Sequence, residues 1–128
     1  MRILIDTHVF LWMDAEPSRL SPHAASILKR LEVDVFVSVV SIWEIAIKQA
    51  IGKLTLSTPL TDAIKAHKIN SGLQILPVTL PHVLGVESLP LHHKDPFDRL
   101  LIAQAISEDM TIVSADHVYA SYPVRHLW

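Results

Sequence analysis

Cysteine is absent from this sequence of 128 residues, and long hydrophobic runs are absent too. Without cysteine, neither a disulfide bond nor a thiolate-bound metal can form within the chain. Arg2 is followed by three apolar residues before Asp6, which is too short for the hydrophobic region of a secretory signal. The apolar stretch at residues 35–43 is too short and too interrupted to span a bilayer. We therefore expect a cytoplasmic protein.

Repeats, low-complexity tracts and charge blocks are also missing, so nothing in the sequence suggests a second domain. We expect residues 1–128 to form a single domain. Half of the residues are hydrophobic and the mean hydropathy is +0.34, which is high for a small monomer. Some apolar surface should remain exposed, and such surface usually marks a protein partner or a homodimer.

The sequence has no excess of positive charge, because 11 Lys and Arg residues face 13 Asp and Glu residues. The formal net charge is −2 and the isoelectric point is near 6.4. A protein that binds nucleic acid mainly through phosphates is expected to be basic on at least one face. The overall charge therefore argues mildly against a nucleic-acid ligand, unless bound metal ions supply the affinity for phosphate.

Apolar segments and helix-start signals alternate along the chain. Strands are predicted at residues 2–6, 33–39, 73–78 and 110–113, with an edge strand at 124–127. Helices are predicted at residues 7–13, 21–31, 41–51, 58–72, 81–88 and 95–108, with a helical turn at 116–121. This alternation predicts a three-layer, doubly wound α/β fold, with a mostly parallel sheet of four to five strands and helices on both faces.

Acidic residues occur where predicted strands end or helices begin. Asp6 follows the first strand, Asp116 follows the fourth, and Glu44 lies in the first turn of the helix after the second strand. Strand ends and the starts of the following helices share one edge of a parallel sheet, so these residues should converge there, where ligands bind. Asp98 begins a helix at the far end of a long connection, so spacing alone does not bring it to the same edge.

Clustered carboxylates repel one another unless a cation neutralises them. Oxygen ligands of this kind suit Mg²⁺ or Mn²⁺, which can activate water for phosphodiester hydrolysis. A purely structural interpretation is also open. Asp6 could be an N-cap, Ser41 and Glu44 form an apparent capping box, and Asp98 follows an Asp95 N-cap before Pro96. Spacing alone does not decide between a metal site and helix caps.

Four sequence blocks resemble the PIN-domain family, and specifically its VapC-like toxins. They are Leu4-Ile-Asp-Thr-His-Val-Phe-Leu-Trp12, Ser41-Ile-Trp-Glu-Ile-Ala-Ile-Lys48, Asp95-Pro-Phe-Asp-Arg-Leu-Leu-Ile-Ala-Gln-Ala105 and Val113-Ser-Ala-Asp116. The resemblance runs from Arg2 to the last residue, and the Asp-Pro-Phe-Asp-Arg block is its most specific part. It implies that the catalytic, metal-binding residues are Asp6, Glu44, Asp98 and Asp116, with Ser114 and Thr7 in support.

The resemblance also implies a function. It predicts a Mg²⁺- or Mn²⁺-dependent endoribonuclease that cleaves single-stranded RNA, the toxin of a type II toxin–antitoxin system. It further implies a homodimer and a cognate antitoxin that occupies the active-site groove.

Several other side chains near these blocks have two interpretations each. Lys48 and Arg99 lie about one turn from proposed ligands and could bind RNA phosphate, or could be solvated or ion-paired. Trp12 and Trp43 could stack on a base, although packing roles are commoner. The histidines near the blocks could transfer protons. The histidines near the blocks are His8, His92, His93 and His117. No two histidines of the chain stand three or four residues apart, which is the spacing of a zinc-binding pair on a helix.

Two rival functions remain at this point. One is a phosphoacceptor signalling domain of the receiver type, which has a similar length and architecture. That class needs an acidic pair at the first strand and an Asp after the third, whereas Asp6 has no acidic neighbour and residues 73–78 end in no Asp. The other is a catalytically silent interaction module.

Overall fold

A computed structural model describes all 128 residues and contains one five-stranded sheet. The strands are β1 Arg2–Ile5, β2 Asp34–Ser38, β3 Gln74–Leu76, β4 Thr111–Val113 and β5 Arg125–Leu127. Their order is β3-β2-β1-β4-β5, and all four neighbouring pairs are parallel. The predicted α/β fold is confirmed, including the edge strand β5. Receiver domains have the order 2-1-3-4-5, so the receiver hypothesis is wrong.

Helices cover both faces of this sheet. They are α1 Thr7–Ala15, α2 Pro22–Leu28, α3 Val39–Ala50, α4 Leu60–Ser71, α5 Leu80–Gly85 and α6 Pro96–Ser107, with 3₁₀ segments at Pro17–Arg19, Val86–Ser88 and His117–Ser121. In this fold no helix has both the length and the apolar character that a bilayer crossing requires. Helix α2 ends three residues earlier than predicted. The αL conformation of Gly72 (φ +65°) ends α4 where the sequence indicated.

The central strand β1 connects the two layers of the core. Ile3 and Ile5 pack into one apolar cluster with residues of α1, α2 and α3, whereas Leu4 packs into the other with residues of α6 and β4. Side chains alternate between the faces of a strand, so a strand covered on both sides is apolar throughout. The burial of β1 fixes the position of Asp6, the first residue beyond it.

The predicted capping box at Ser41 and Glu44 is wrong. Helix α3 begins at Val39, and its N-cap is Ser38, whose Oγ accepts a hydrogen bond from the Val40 backbone N–H. Strand β2 runs directly into this cap, and the burial of Val40 in the core outweighs the weak helix propensity of valine. Glu44 therefore lies in the second turn of α3, and the capping interpretation of Glu44 no longer applies.

Candidate metal-binding site

Asp6 lies immediately beyond β1, at the carboxyl edge of the sheet, and is only 5% exposed. One carboxylate oxygen caps α1 by accepting a hydrogen bond from the Val9 backbone N–H at 2.9 Å. The other accepts a hydrogen bond from Ser114 Oγ, just beyond β4. Burial raises the pKa of Asp6 from 3.8 to about 6, although both hydrogen bonds oppose the shift. Asp6 is therefore both a cap and a buried carboxylate that is costly to ionise.

Glu44 reaches the same edge from α3 and is 3% exposed. Thr7 Oγ1 donates a hydrogen bond to its Oε1 at 2.7 Å, and Lys48 Nζ donates to its Oε2 at 2.6 Å. The hydrogen bond to Glu44 is the main cause of a raised pKa of Lys48, to which the negative charges of Asp95 and Asp98 add. Both oxygens of Glu44 are thus held, and the Lys48 ammonium lies within the field of the carboxylates.

Asp98 lies in the first turn of α6, after the predicted Asp95 N-cap, which accepts from the backbone N–H groups of Phe97 and Asp98. Tyr119 OH donates a hydrogen bond to Asp98 Oδ1 at 2.8 Å, and His93 Nε2 lies 2.7 Å from Asp98 Oδ2. Burial is the main cause of the raised pKa of Asp98, and these two contacts oppose it.

Tyr119 is a buried phenol among carboxylates. Burial first, and then the charges of Asp98, Asp6 and Asp116, raise the pKa of Tyr119 well above its ordinary value. The hydroxyl therefore stays protonated and remains a donor to Asp98.

Asp116 begins the last 3₁₀ segment, where its Oδ1 accepts from the Val118 backbone N–H at 3.0 Å. Its own backbone N–H donates to Ser114 Oγ, so Ser114 contacts both Asp6 and Asp116. Ligand atoms of His93, Asp98 and Asp116 all lie within 4.8 Å of one another. The structure thus places Asp98 in the same group, although sequence spacing alone could not.

Arg99 explains how the long connection before α6 returns to this edge. Its guanidinium donates hydrogen bonds to the carbonyl oxygens of Pro90 at 2.9 Å and of His93 at 3.4 Å. It also donates to the carbonyl oxygens of Val86 and Leu89, each at 3.4 Å. These donors hold the loop that carries His93, and binding of RNA phosphate by Arg99 stays a prediction.

The donor set fits a hard divalent cation. Among the four carboxylates, Glu44 has the Lys48 ammonium as its cationic partner, and Asp98 contacts the His93 ring. Burial raises the pKa of Asp6 and of Asp98, so the ionisation of these two carboxyls is costly without a cation. Ser41 Oγ, on α3 one turn before Glu44, is fully buried and has no hydrogen-bond partner within the chain. Such a hydroxyl commonly has a water or ion as its partner. An oxygen-rich group of this kind suits Mg²⁺ or Mn²⁺.

Sequence reasoning missed Tyr119 and gave His93 only a general proton-transfer role. The only sequence signal for the contact between Tyr119 and Asp98 was the position of Tyr119, three residues after Asp116 in a predicted helical turn. Trp43 is 57% exposed and packs edge-on against Phe97, whereas Trp12 is half-buried beside Trp128.

The fold and the site together define a parallel α/β protein with an oxygen-rich acidic site at the carboxyl edge of its sheet. Residues 3–124 match the family described as PIN domain. The chain belongs to the PIN-domain family, whose nucleases generally depend on divalent metal ions.

Individual relatives agree with this assignment. The chain is 30% identical to Ribonuclease VapC22 of Mycobacterium tuberculosis, over 97% of this chain and 92% of that protein. Its fold is similar to VapBC2 of Rickettsia felis (TM-score 0.76, 13% identity, 99% and 98% of the two chains). It is also similar to VapBC-5 of M. tuberculosis, of the VapBC family of toxin-antitoxin systems (TM-score 0.58, 15% identity, 94% and 89%).

Proposed function

We propose that this protein is a metal-dependent endoribonuclease that cleaves single-stranded RNA and acts as the toxin of a toxin–antitoxin pair. The observation that carries the proposal is the group of carboxylates at the carboxyl edge of a PIN-domain sheet, of which Asp6 and Glu44 are buried. The 30% identity to a protein named as a ribonuclease, along almost the whole chain, supports the reaction class.

We assign the metal, Mg²⁺ or Mn²⁺, to the carboxylates of Asp6, Glu44, Asp98 and Asp116. Held by these carboxylates, the cation would supply Lewis-acid polarisation of a phosphodiester and would make water a stronger nucleophile at neutral pH. The protein's part is to hold its ligands ionised and oriented. Ser114 orients Asp6, Thr7 and Lys48 fix the two oxygens of Glu44, and Tyr119 and His93 fix those of Asp98. Groups that orient ligands in this way influence metal affinity strongly.

We further infer that the protein has protein partners. Similar structures include VapBC-5, which is described as a member of a toxin-antitoxin family, so we assign a cognate antitoxin to this chain as well. Exposed apolar side chains on α5, including Leu80 and Leu84, support a homodimer. Cellular RNA as substrate would place the protein in the cytoplasm.

Cleavage of end-labelled single-stranded RNA tests the proposal. We expect cleavage in Mg²⁺ or Mn²⁺, none in EDTA, and recovery when excess metal is restored. Asp98→Asn should abolish cleavage. Asp34→Asn is the matched control, because Asp34 is an exposed aspartate at the opposite, amino end of the sheet. Equal cleavage by both variants would mean that the activity comes from a contaminant or that Asp98 lies outside the site.

A further inference from the structure

A groove of about 390 Å³ opens beside the carboxylate site. One wall is the outer side of α1, and the other is the segment at residues 53–57 that follows α3. Thr7 and Lys48, which both hold Glu44, also line this groove. The groove is therefore continuous with the site, and its volume falls within the range of pockets that bind small ligands.

The charge of this groove differs from that of the whole chain. Arg19, Lys48 and Lys53 line it, and Glu16 is its only acidic residue, in a protein of net charge −2. Lys48 is committed to Glu44, and Arg19 lies 3.8 Å from Glu16. Lys53 is exposed and forms no ion pair within the chain. The groove thus offers a free ammonium to an anionic ligand beside an acidic centre.

The groove also has a flat aromatic surface. Trp12 is half-buried in its wall, and the Arg19 guanidinium lies over the Trp12 ring at 4.6 Å from the ring centroid. Unstacked bases of single-stranded RNA stack on aromatic rings and on guanidinium planes. Leu11, Leu54 and Leu56 also line the groove and offer apolar contacts to the face of a base. Cationic side chains beside an aromatic and apolar wall can hold both the phosphate and the base of a nucleotide.

We propose that this groove binds one nucleotide of single-stranded RNA, the one adjacent to the scissile phosphate. The phosphate of this nucleotide contacts Lys53, and its base stacks on the Trp12–Arg19 pair. The proposal rests on the proposed ribonuclease function, because that function places the scissile phosphate at the carboxylates. It also answers the objection from net charge, since the unpaired positive charge of Lys53 lies in the groove where the phosphate would bind.

Binding of a fluorescently labelled single-stranded RNA to the Asp98→Asn protein in Mg²⁺, followed by anisotropy over a range of salt concentrations, tests the proposal. Lys53→Ala should weaken binding roughly 3- to 10-fold and reduce the salt slope of log K by about 0.7, the loss of one single-strand phosphate contact. The control is Lys65→Ala, an exposed lysine on α4 outside the groove, which should leave affinity and slope unchanged.

Arg19→Lys separates stacking from charge. It keeps the positive charge and removes the guanidinium plane, so affinity should fall about threefold or more while the salt slope stays the same. Trp12→Leu should weaken binding about tenfold. Trp12 also packs against Trp128, so the melting temperature of the Trp12→Leu variant must be compared with that of the parent protein.

Lys53→Ala and Arg19→Lys variants that bind RNA like Lys65→Ala would overturn the subsite. If these variants kept their affinity for RNA but no longer bound a co-expressed antitoxin, the groove would be a protein-docking surface and the RNA assignment would be wrong. RNA cleavage by the unmodified protein reports separately on the proposed function. Normal cleavage with an unaffected Lys53→Ala variant refutes the subsite alone, whereas absence of any binding or cleavage refutes the function.

Discussion

Ser114 donates a hydrogen bond from its Oγ to the carboxylate of Asp6, across 108 positions of the sequence. The contact joins the ends of β4 and β1, which pair in parallel at the centre of the sheet. It gives Asp6 one donor on each oxygen, counting Val9 N–H, within a buried site. Burial still makes ionisation of Asp6 unfavourable, so the free energy of unfolding should depend on whether Asp6 is protonated.

The first prediction concerns pH and the stability of the protein in EDTA. The pKa of Asp6 in the folded protein, about 6, lies above the ordinary value of 3.8, so the folded state binds this proton more tightly than the unfolded state. Between these pH values the free energy of unfolding should therefore fall as pH rises, by at most about 3 kcal/mol from this group.

Chemical denaturation of the wild type and Asp6→Asn between about pH 4 and pH 7 measures this effect. The variant should be the more stable of the two above pH 6 and should show a shallower pH dependence. The stability of the variant should still fall somewhat as pH rises, because burial also raises the pKa of Asp98. Identical slopes for the two proteins would show that Asp6 ionises without cost in the fold.

The second prediction concerns metal-linked stability. Millimolar Mn²⁺ should raise the melting temperature of the wild type, because a ligand that binds only the folded state stabilises it. Asp6→Asn and Asp116→Asn should respond less, while the control Asp34→Asn should respond like the wild type. Asn still caps helices well, so these variants keep the caps that Asp6 and Asp116 provide. Equal metal responses in all four proteins would leave the carboxylates with only a capping role.

The third prediction concerns Tyr119 as a positioning residue. Tyr119→Phe removes the hydroxyl that donates to Asp98 and should weaken metal binding or cleavage about 10- to 100-fold. Titration of cleavage and of melting temperature with Mn²⁺ separates a metal effect from simple destabilisation. Tyr122→Phe is the comparison. The Tyr122 hydroxyl accepts from the His93 backbone N–H and from Arg99, so this variant changes the loop that carries His93 but removes no direct hydrogen bond to Asp98. If both variants kept the wild-type dependence on Mn²⁺, Tyr119 would not position Asp98.

The fourth prediction concerns assembly. Leu80, Val83 and Leu84 on α5 and Ile106 on α6 are exposed apolar side chains on two helices that pack together. Light scattering at micromolar concentration should report about twice 14.3 kDa. Leu84→Glu should shift the protein toward a monomer, whereas Leu31→Glu, at a fully exposed position outside this surface, should not. A wild-type protein that is monomeric under these conditions would contradict the dimer.

Local signals in the sequence were sufficient for much of this protein. The apolar run of β1 followed by Asp6, the Asp95 cap before Pro96, and Gly72 after α4 each act through neighbouring residues, and the structure has all three. They work because capping and the alternation of side chains depend on a few adjacent residues. The alternation of strands and helices then indicated a parallel sheet and the edge where ligands gather.

Other features depended on contacts between distant parts of the chain. Ser41 and Glu44 formed a convincing local capping signal, yet Ser38 at the end of β2 caps α3 instead. The contacts of Asp98 with His93 and Tyr119, and of Asp6 with Ser114, depend on the strand order β3-β2-β1-β4-β5 and on a loop held by Arg99. The sequence by itself determined that Asp6, Asp98 and Asp116 stand at element ends, but it placed Glu44 one turn too near the start of α3. Only the tertiary structure decided which of them meet, because strand order results from burying both faces of β1 at once.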